Sequence, residues 1–258
     1  MPLDARGTLG RWLDRYALPL LYRGQGPDRE RSYEVDASTR LCLRVNSSDK
    51  IAVWEIWRFN AYGRGRFAIN PEDVVVDIGA HIGVFAVYAA RHAPRGQVYA
   101  YEPFPGNYRL LATNKSLNRL DNLHVFNLAV SARTGESDFF AVESNPALNS
   151  LSGAYGGERI SVRTVSIEDV VRDNRIEAVD YLKIDAEGAE YDILMNCSGA
   201  LLRRIKRIFL EYHEHPSLPG NRRELAQVLR SNGYQVSVGG WPFQETFSRT
   251  GFLKAYRD

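Results

Sequence analysis

The sequence predicts an α/β fold, an open and mostly parallel sheet with helices on both faces. Strand-like and helix-like stretches alternate from Val74 onward, the pattern of a parallel sheet. Val74-Val75-Val76 places three β-branched residues in a row after the turn signal Asn70-Pro71-Glu72-Asp73. Such a run suits a strand covered on both faces. Polar residues also close successive strands, at Asp77, Glu102, Asn127, Asp185 and Glu211 to His213. In a parallel sheet those ends share one edge, where open α/β folds bind ligands.

The 258 residues are enough for one α/β domain with an extension. A formal charge of +2 is too small to announce a nucleic-acid partner. Cys42 and Cys197 are the only cysteines, so neither a disulfide framework nor a cysteine metal site is indicated. No apolar run reaches spanning length, and no signal-peptide core is visible at the N-terminus. The expectation is a soluble, cytoplasmic protein.

Residues 1–70 read as an extension containing a helix, a strand and a short helix. Leu9, Trp12, Leu13, Tyr16 and Leu20 recur at helical spacing. That stripe suits packing on the same domain or on a second copy of the chain, with a membrane-surface helix as the lesser alternative. Gly24 to Arg31 reads as a loop. Leu41, Leu43 and Val45 alternate as in a strand, and Ser48 caps a short helix carrying Ile51, Trp54 and Trp57.

Residues 71–258 form the main domain. After the Val74 strand come a helix from Ile82 to His92, a strand from Gln97 to Tyr101 and a helix from Asn107 to Asn118. Leu123 to Asn127 is the next strand, leading into Leu128 to Ser131. Gly135 to Val142 and Ile160 to Val165 read as a β pair joined by the Asn- and Gly-rich stretch Asn145 to Gly157, a candidate lid. Strands follow at Val179 to Ile184 and Arg207 to Leu210. A helix near Glu224 to Ser231 and a strand pair, Tyr234 to Val238 with Thr250 to Tyr256, complete the chain.

The turn Asp77-Ile78-Gly79-Ala80-His81-Ile82-Gly83 carries Gly-x-x-x-Gly rather than the dinucleotide spacing Gly-x-Gly-x-x-Gly. A carboxylate beside that turn repels a pyrophosphate but suits a ligand bearing an ammonium and a sulfonium. The charge therefore favours S-adenosyl-L-methionine over NAD. Glu102, followed by the strand-ending Pro103, stands about twenty residues beyond the turn, the distance at which an acid accepts ribose hydroxyls. The competing reading of Glu102 is a helix N-terminal carboxylate. Asn127, Ala129 and Val130 are placed to flank an adenine, a weak signal taken alone. The candidate cofactor set is thus Asp77, Gly79, Ala80, His81, Gly83, Glu102, Pro103, Asn127, Ala129, Val130 and Asp185.

Lys183 sits in an apolar strand, where an ammonium needs an acidic partner. Asp185 is placed to touch donor and acceptor alike. Glu187 is divided between acceptor contact and helix capping, and Glu190 reads as structural. Methyl transfer to a hydroxyl needs in-line geometry and removal of a proton. His213, Asp185 and Glu211 are the catalytic candidates, with His213 favoured as base for its near-neutral pKa; His215 reads as a loop residue. Asp185, Glu211 and His213 as ligands of a divalent ion form an alternative, and no metal site is assigned.

These blocks resemble the FkbM-type methyltransferase family of class I S-adenosylmethionine-dependent enzymes. The resemblance spans roughly Asp73 to His213 and rests on Val-Val-Asp-Ile-Gly-Ala-His-Ile-Gly at 75–83, Tyr-Glu-Pro at 101–103 with Asn107 and Asn114, Asn-Leu-Ala-Val-Ser at 127–131, Leu-Lys-Ile-Asp-Ala-Glu-Gly-Ala-Glu at 182–190, and Glu-Tyr-His at 211–213. It implies a Rossmann-like sheet of seven strands with the last antiparallel, and O-methylation of sugar or natural-product hydroxyls. Two departures stand out. His81 occupies a position where the family often has asparagine, and Val165 to Asp169 replaces a common Thr-Leu-Asp-Asp block. A nucleotide-dependent oxidoreductase and a non-catalytic adenosyl-binding module are the competing readings. A nucleic-acid methyltransferase is disfavoured, because the Asn-Pro-Pro-Tyr-type block is missing.

Overall fold

The computed structural model describes residues 30–45, 47–58, 60, 62–141, 151, 157–214, 221–239 and 250–257. The expected helix at Leu9 to Leu20, the Asn145 to Gly157 stretch apart from Leu151 and Gly157, and His215 lie outside them.

A seven-stranded sheet organises the chain. Its strands are β3 (Val74–Ile78), β4 (Gln97–Tyr101), β5 (Leu123–Phe126), β9 (Val179–Ile184), β10 (Ile205–His213), β11 (Gln235–Gly239) and β12 (Thr250–Tyr256). The spatial order is β11-β12-β10-β9-β3-β4-β5. β12 runs antiparallel to both neighbours, and the remaining pairs are parallel. The expected sheet and its antiparallel last strand are therefore present. Two smaller sheets flank it: a hairpin of β1 (Glu30–Glu34) and β2 (Arg40–Arg44), and a three-stranded sheet of β6 (Ala129–Ser131), β7 (Gly135–Ala141) and β8 (Glu158–Ser166).

Side chains alternate across the main sheet, and both faces are buried. Val76, Ile78, Leu182, Ile184, Ile208 and Leu210 face α4 (Ile167–Asp173), α5 (Glu190–Met195), α6 (Gly199–Leu202) and α7 (Arg222–Ser231). Val75, Val98, Ala100, Tyr181 and Phe209 face α2 (Val84–His92) and α3 (Pro105–Leu117). Two-sided burial explains why these strands read as continuous apolar runs. The described part of the extension, which includes α1 (Asp49–Val53), joins the second core through Leu41, Leu43, Val53 and Ile56.

Several boundaries differ from expectation for identifiable reasons. β1 falls partly inside the predicted Gly24–Arg31 loop. Its sequence, Glu-Arg-Ser-Tyr-Glu, is almost wholly exposed and has no apolar alternation to betray it. α2 begins two residues late because Gly83 caps it in a left-handed conformation, φ 85°. α3 begins early because Pro105 takes the first turn, where its missing N–H costs nothing. α4, unassigned in the sequence, is capped by Ser166, whose side chain accepts the Asp169 N–H. Asn221 caps α7 likewise, accepting the N–H groups of Arg223 and Glu224. No helix among the described residues is long and apolar enough to cross a membrane.

Candidate active site

The carboxyl ends of β3, β4, β9 and β10 enclose a cavity of about 260 Å³. The turn after β3 forms one wall. Gly79 N and Ala80 N both donate to Tyr101 O, at 3.0 and 2.9 Å, which fastens this turn to the end of β4. Gly79 has φ +75°, and a Cβ there would stand 1.8 Å from Asp185 O, so no other residue fits. His81 also adopts a left-handed φ of 53° and donates its N–H to Glu102 Oε2 at 2.8 Å. Glu102 Oε1 accepts from Phe104 N at 2.9 Å and from Asn107 Nδ2 at 3.3 Å. Burial pushes the Glu102 carboxyl up to about 7, against the pull of these hydrogen bonds. Pro103, Ala129, Val130 and Phe139 add an apolar slot beside Glu102.

Asp77 departs from its expected role. Its side chain is 0 % exposed, lies behind the turn and does not line the cavity. It instead holds Lys183, with Nζ 3.2 Å from Oδ1. Lys183 also donates to Gly79 O at 3.2 Å and lies 5.9 and 5.8 Å from the ring centres of Tyr62 and Phe85. Burial opposes the Lys183 charge, but Asp77 and Asp185 outweigh it and raise its pKa. The carboxylate near the end of β3 therefore pairs with a buried lysine.

Gly83 and Asn127 likewise stand outside the cavity lining. A Cβ on Gly83 would stand 2.4 Å from Leu111 Cδ1, so this glycine serves the packing of α3. Asn127 donates to Glu102 O and Pro103 O, at 2.9 and 2.8 Å, and shapes the backbone from behind. Neither lines the cavity, whereas Gly79, Ala80, His81, Glu102, Pro103, Ala129, Val130, Asp185 and Glu211 all do.

Carboxylates dominate the wall made by β9 and β10. Asp185, Glu187 and Glu211 line it, joined by Glu55 from the π-helical turn Trp54–Arg58 of the extension. Burial, then the charge of Asp185, lifts Glu55 to about 7 and raises Glu211 well above the ordinary carboxylate range. Burial also lifts Glu187 to about 8, against the attraction of His213. Lys183 and His81 are the only basic side chains among the described lining residues. The first is held by Asp77. The second is kept neutral, its pKa lowered to about 4 by burial and by the Arg44 charge against the pull of Asp49. Arg44 pairs with Asp49 at 2.8 Å and lies 3.0 Å from His81 Nε2.

His213 does not reach the cavity. It is 4 % exposed, with Nδ1 2.8 Å from Glu190 Oε1 and Nε2 3.4 Å from Glu187 Oε2. Burial works against its charge, yet the two glutamates prevail and hold its proton well above the ordinary histidine range. His213 thus stands behind the lining residues, between Glu187 and Glu190, and not among them. Glu190 is itself buried and also accepts Ala186 N at 3.1 Å.

Two contributors escaped the sequence reading. Glu55 belongs to the face Ser48, Ile51, Ala52, Glu55 and Ile56, which covers the cavity. The available signal was an acid at i+4 from Ile51 inside an apolar stretch. Tyr62 precedes the sheet in an irregular segment and carried no pattern to find it.

A model of the FkbM methyltransferase domain matches residues 77–236. Among curated proteins, AmbE, the AMB antimetabolite synthetase of Pseudomonas aeruginosa, is 26% identical over 236 residues. That match covers 76% of this chain but only 11% of AmbE, so the chain spans a small part of that relative's length. The 31-O-demethyl-FK506 methyltransferase FkbM of Streptomyces tacrolimicus is 28% identical over 70% of this chain and 80% of its own. The 2-O-methyltransferase NoeI of Sinorhizobium fredii is 26% identical over 58% of this chain and 68% of its own. With the domain model covering more than half of its residues, the chain belongs to the FkbM methyltransferase family.

Proposed function

We propose that this protein is an S-adenosyl-L-methionine-dependent O-methyltransferase acting on a hydroxyl of a small molecule, sugar or natural product. One observation carries the reading. Acidic side chains surround the cavity, and its basic groups are either paired or neutral, so a cationic ligand is favoured and a pyrophosphate is repelled. The donor set fits: Glu102 beside a tight turn offers acceptors to ribose hydroxyls, and the slot of Pro103, Ala129, Val130 and Phe139 offers apolar walls to adenine.

When bound, S-adenosyl-L-methionine supplies a methyl group activated on a sulfonium. Glu102 and the Gly79 turn would hold the nucleoside, with Asp185, Glu187 and Glu211 lining the remaining space. Holding a hydroxyl in line there contributes on the order of 7–11 kcal/mol in favourable cases. A base works best when its pKa lies near the working pH, and Glu55 at about 7 and Glu187 at about 8 satisfy that condition. Glu190 and His213 act indirectly, by fixing the loop that presents Asp185 and Glu187. The relatives' names, a 2-O-methyltransferase and a 31-O-demethyl-FK506 methyltransferase, support a hydroxyl acceptor.

Incubation with methyl-deuterated donor and a panel of sugars and polyketides, read by mass spectrometry, tests the proposal. Labelled methyl ethers are expected. Labelled amines or carboxyl esters instead would overturn the assignment of the acceptor.

A further inference from the structure

We propose that Asp185, Glu187 and His213 form a binding site for a divalent first-row cation at the β9–β10 edge of the cavity, with Glu190 orienting the imidazole. The inference goes beyond methyl transfer and does not depend on it.

One ligand atom from each of the three residues lies within 4.8 Å of the others. His213 Nε2 and Glu187 Oε2 are 3.4 Å apart. Two tetrahedral ligands, each about 2.1 Å from a common ion, stand about 3.4 Å from one another. Asp185 is half-buried, with a carboxylate oxygen inside the same 4.8 Å group. Two carboxylates and one imidazole suit Mn²⁺, Fe²⁺ or Zn²⁺ rather than a soft cation. Three protein ligands also leave positions open on the cavity side, where Asp185 and Glu187 are lining residues.

Glu190 supplies two further observations. Its Oε1 stands 2.8 Å from His213 Nδ1, which fixes the ring so that Nε2 faces Glu187. A carboxylate on the far nitrogen is the usual support of a metal-binding histidine. The other oxygen, Oε2, is buried and has no hydrogen-bond partner among the described residues, although Glu190 is 0 % exposed. The protein thus brings four carboxylates together, counting Glu211, with His213 within ion-pair reach of Glu187 and Glu190. Lys183 contributes little, standing 3.6 Å from Asp185 while held more closely by Asp77. Buried charge at this density calls for a cation.

A bound divalent ion would give an acceptor oxygen a ligand position next to the donor, adding orientation and acidity to the hydroxyl. The test uses the whole chain after chelation, titrated with Mn²⁺ alone and followed by electron paramagnetic resonance. One equivalent is expected to bind, with spin-echo modulation from one imidazole nitrogen. Glu190→Gln is expected to weaken binding 10–100-fold, as loss of such a support does. Glu187→Gln and His213→Gln are expected to weaken it at least as much, the latter removing the nitrogen modulation. Circular dichroism on each variant separates loss of the site from loss of the fold. No binding by the parent protein would overturn the proposal, as would unchanged binding in a folded Glu187→Gln. Because no donor is present, failure of methyl transfer leaves this result intact, and the reverse also holds.

Discussion

Single residues decide the electrostatics of this fold, and Asp77 and Glu102 stand differently towards the cavity. Asp77 was read as the carboxylate that selects a cationic ligand, yet it is 0 % exposed and pairs with Lys183. Removing one member of a buried pair costs about 3–5 kcal/mol, whereas replacing both by apolar groups can be neutral. Lys183→Met is therefore expected to lower urea stability by that amount, and Lys183→Met with Asp77→Leu to recover most of it. Glu102 lines the cavity, and its environment makes a signed prediction. Burial raises its carboxyl to about 7 in the folded chain, above its ordinary value of 4.5. Between those values the folded state binds the proton more tightly, so stability contributed at low pH is lost as pH rises towards 7, on the order of 3 kcal/mol in total. Glu102→Gln is expected to flatten that decline in urea melts at pH 5 and pH 8. His81 shows what was legible and what was not. Its φ of 53° lies in a region histidine tolerates better than most residues, but a sequence does not display φ.

Elements with two-sided burial or strong caps were readable, because their physics is local. β3, β4, β9 and β10 announce themselves as apolar runs ended by polar residues. β2 is held by a device the sequence hides. Asn114, on α3, accepts from Cys42 N at 2.6 Å and donates to Ile82 O at 2.8 Å, while Asn118 accepts from Arg40 N at 3.0 Å. Two asparagines thus stand in for the missing strand neighbour and fix the extension against the domain. Asn114→Ala removes bonds from a fully buried side chain and is expected to cost about 2–4 kcal/mol. Hydrogen exchange should accelerate first at residues 40–44. Unchanged exchange there would mean that the apolar core alone, through Leu41 and Leu43, positions the strand. The same side-chain bonds explain why residues 1–70 looked separable: long-range contacts at a separation of 72 or 78 residues leave no periodic trace.

At the scale of the molecule, the site edge followed from the alternation of strands and helices, since parallel strands must align their ends, and the antiparallel last strand from the family resemblance, while the order β11-β12-β10-β9-β3-β4-β5 had no signal in the sequence. The cover of the cavity did not, because Ser48, Ile51, Glu55 and Tyr62 reach it only through the packing of the extension. The electrostatic preference survives the demotion of Asp77, since it belongs to the cavity as a whole and not to one carboxylate. Isothermal calorimetry with S-adenosyl-L-methionine and with NAD, on the parent chain and on Glu102→Gln, probes that preference most directly. The account predicts binding of the sulfonium nucleoside, rejection of the pyrophosphate and a weaker affinity in the variant. Equal or tighter binding of NAD would contradict it.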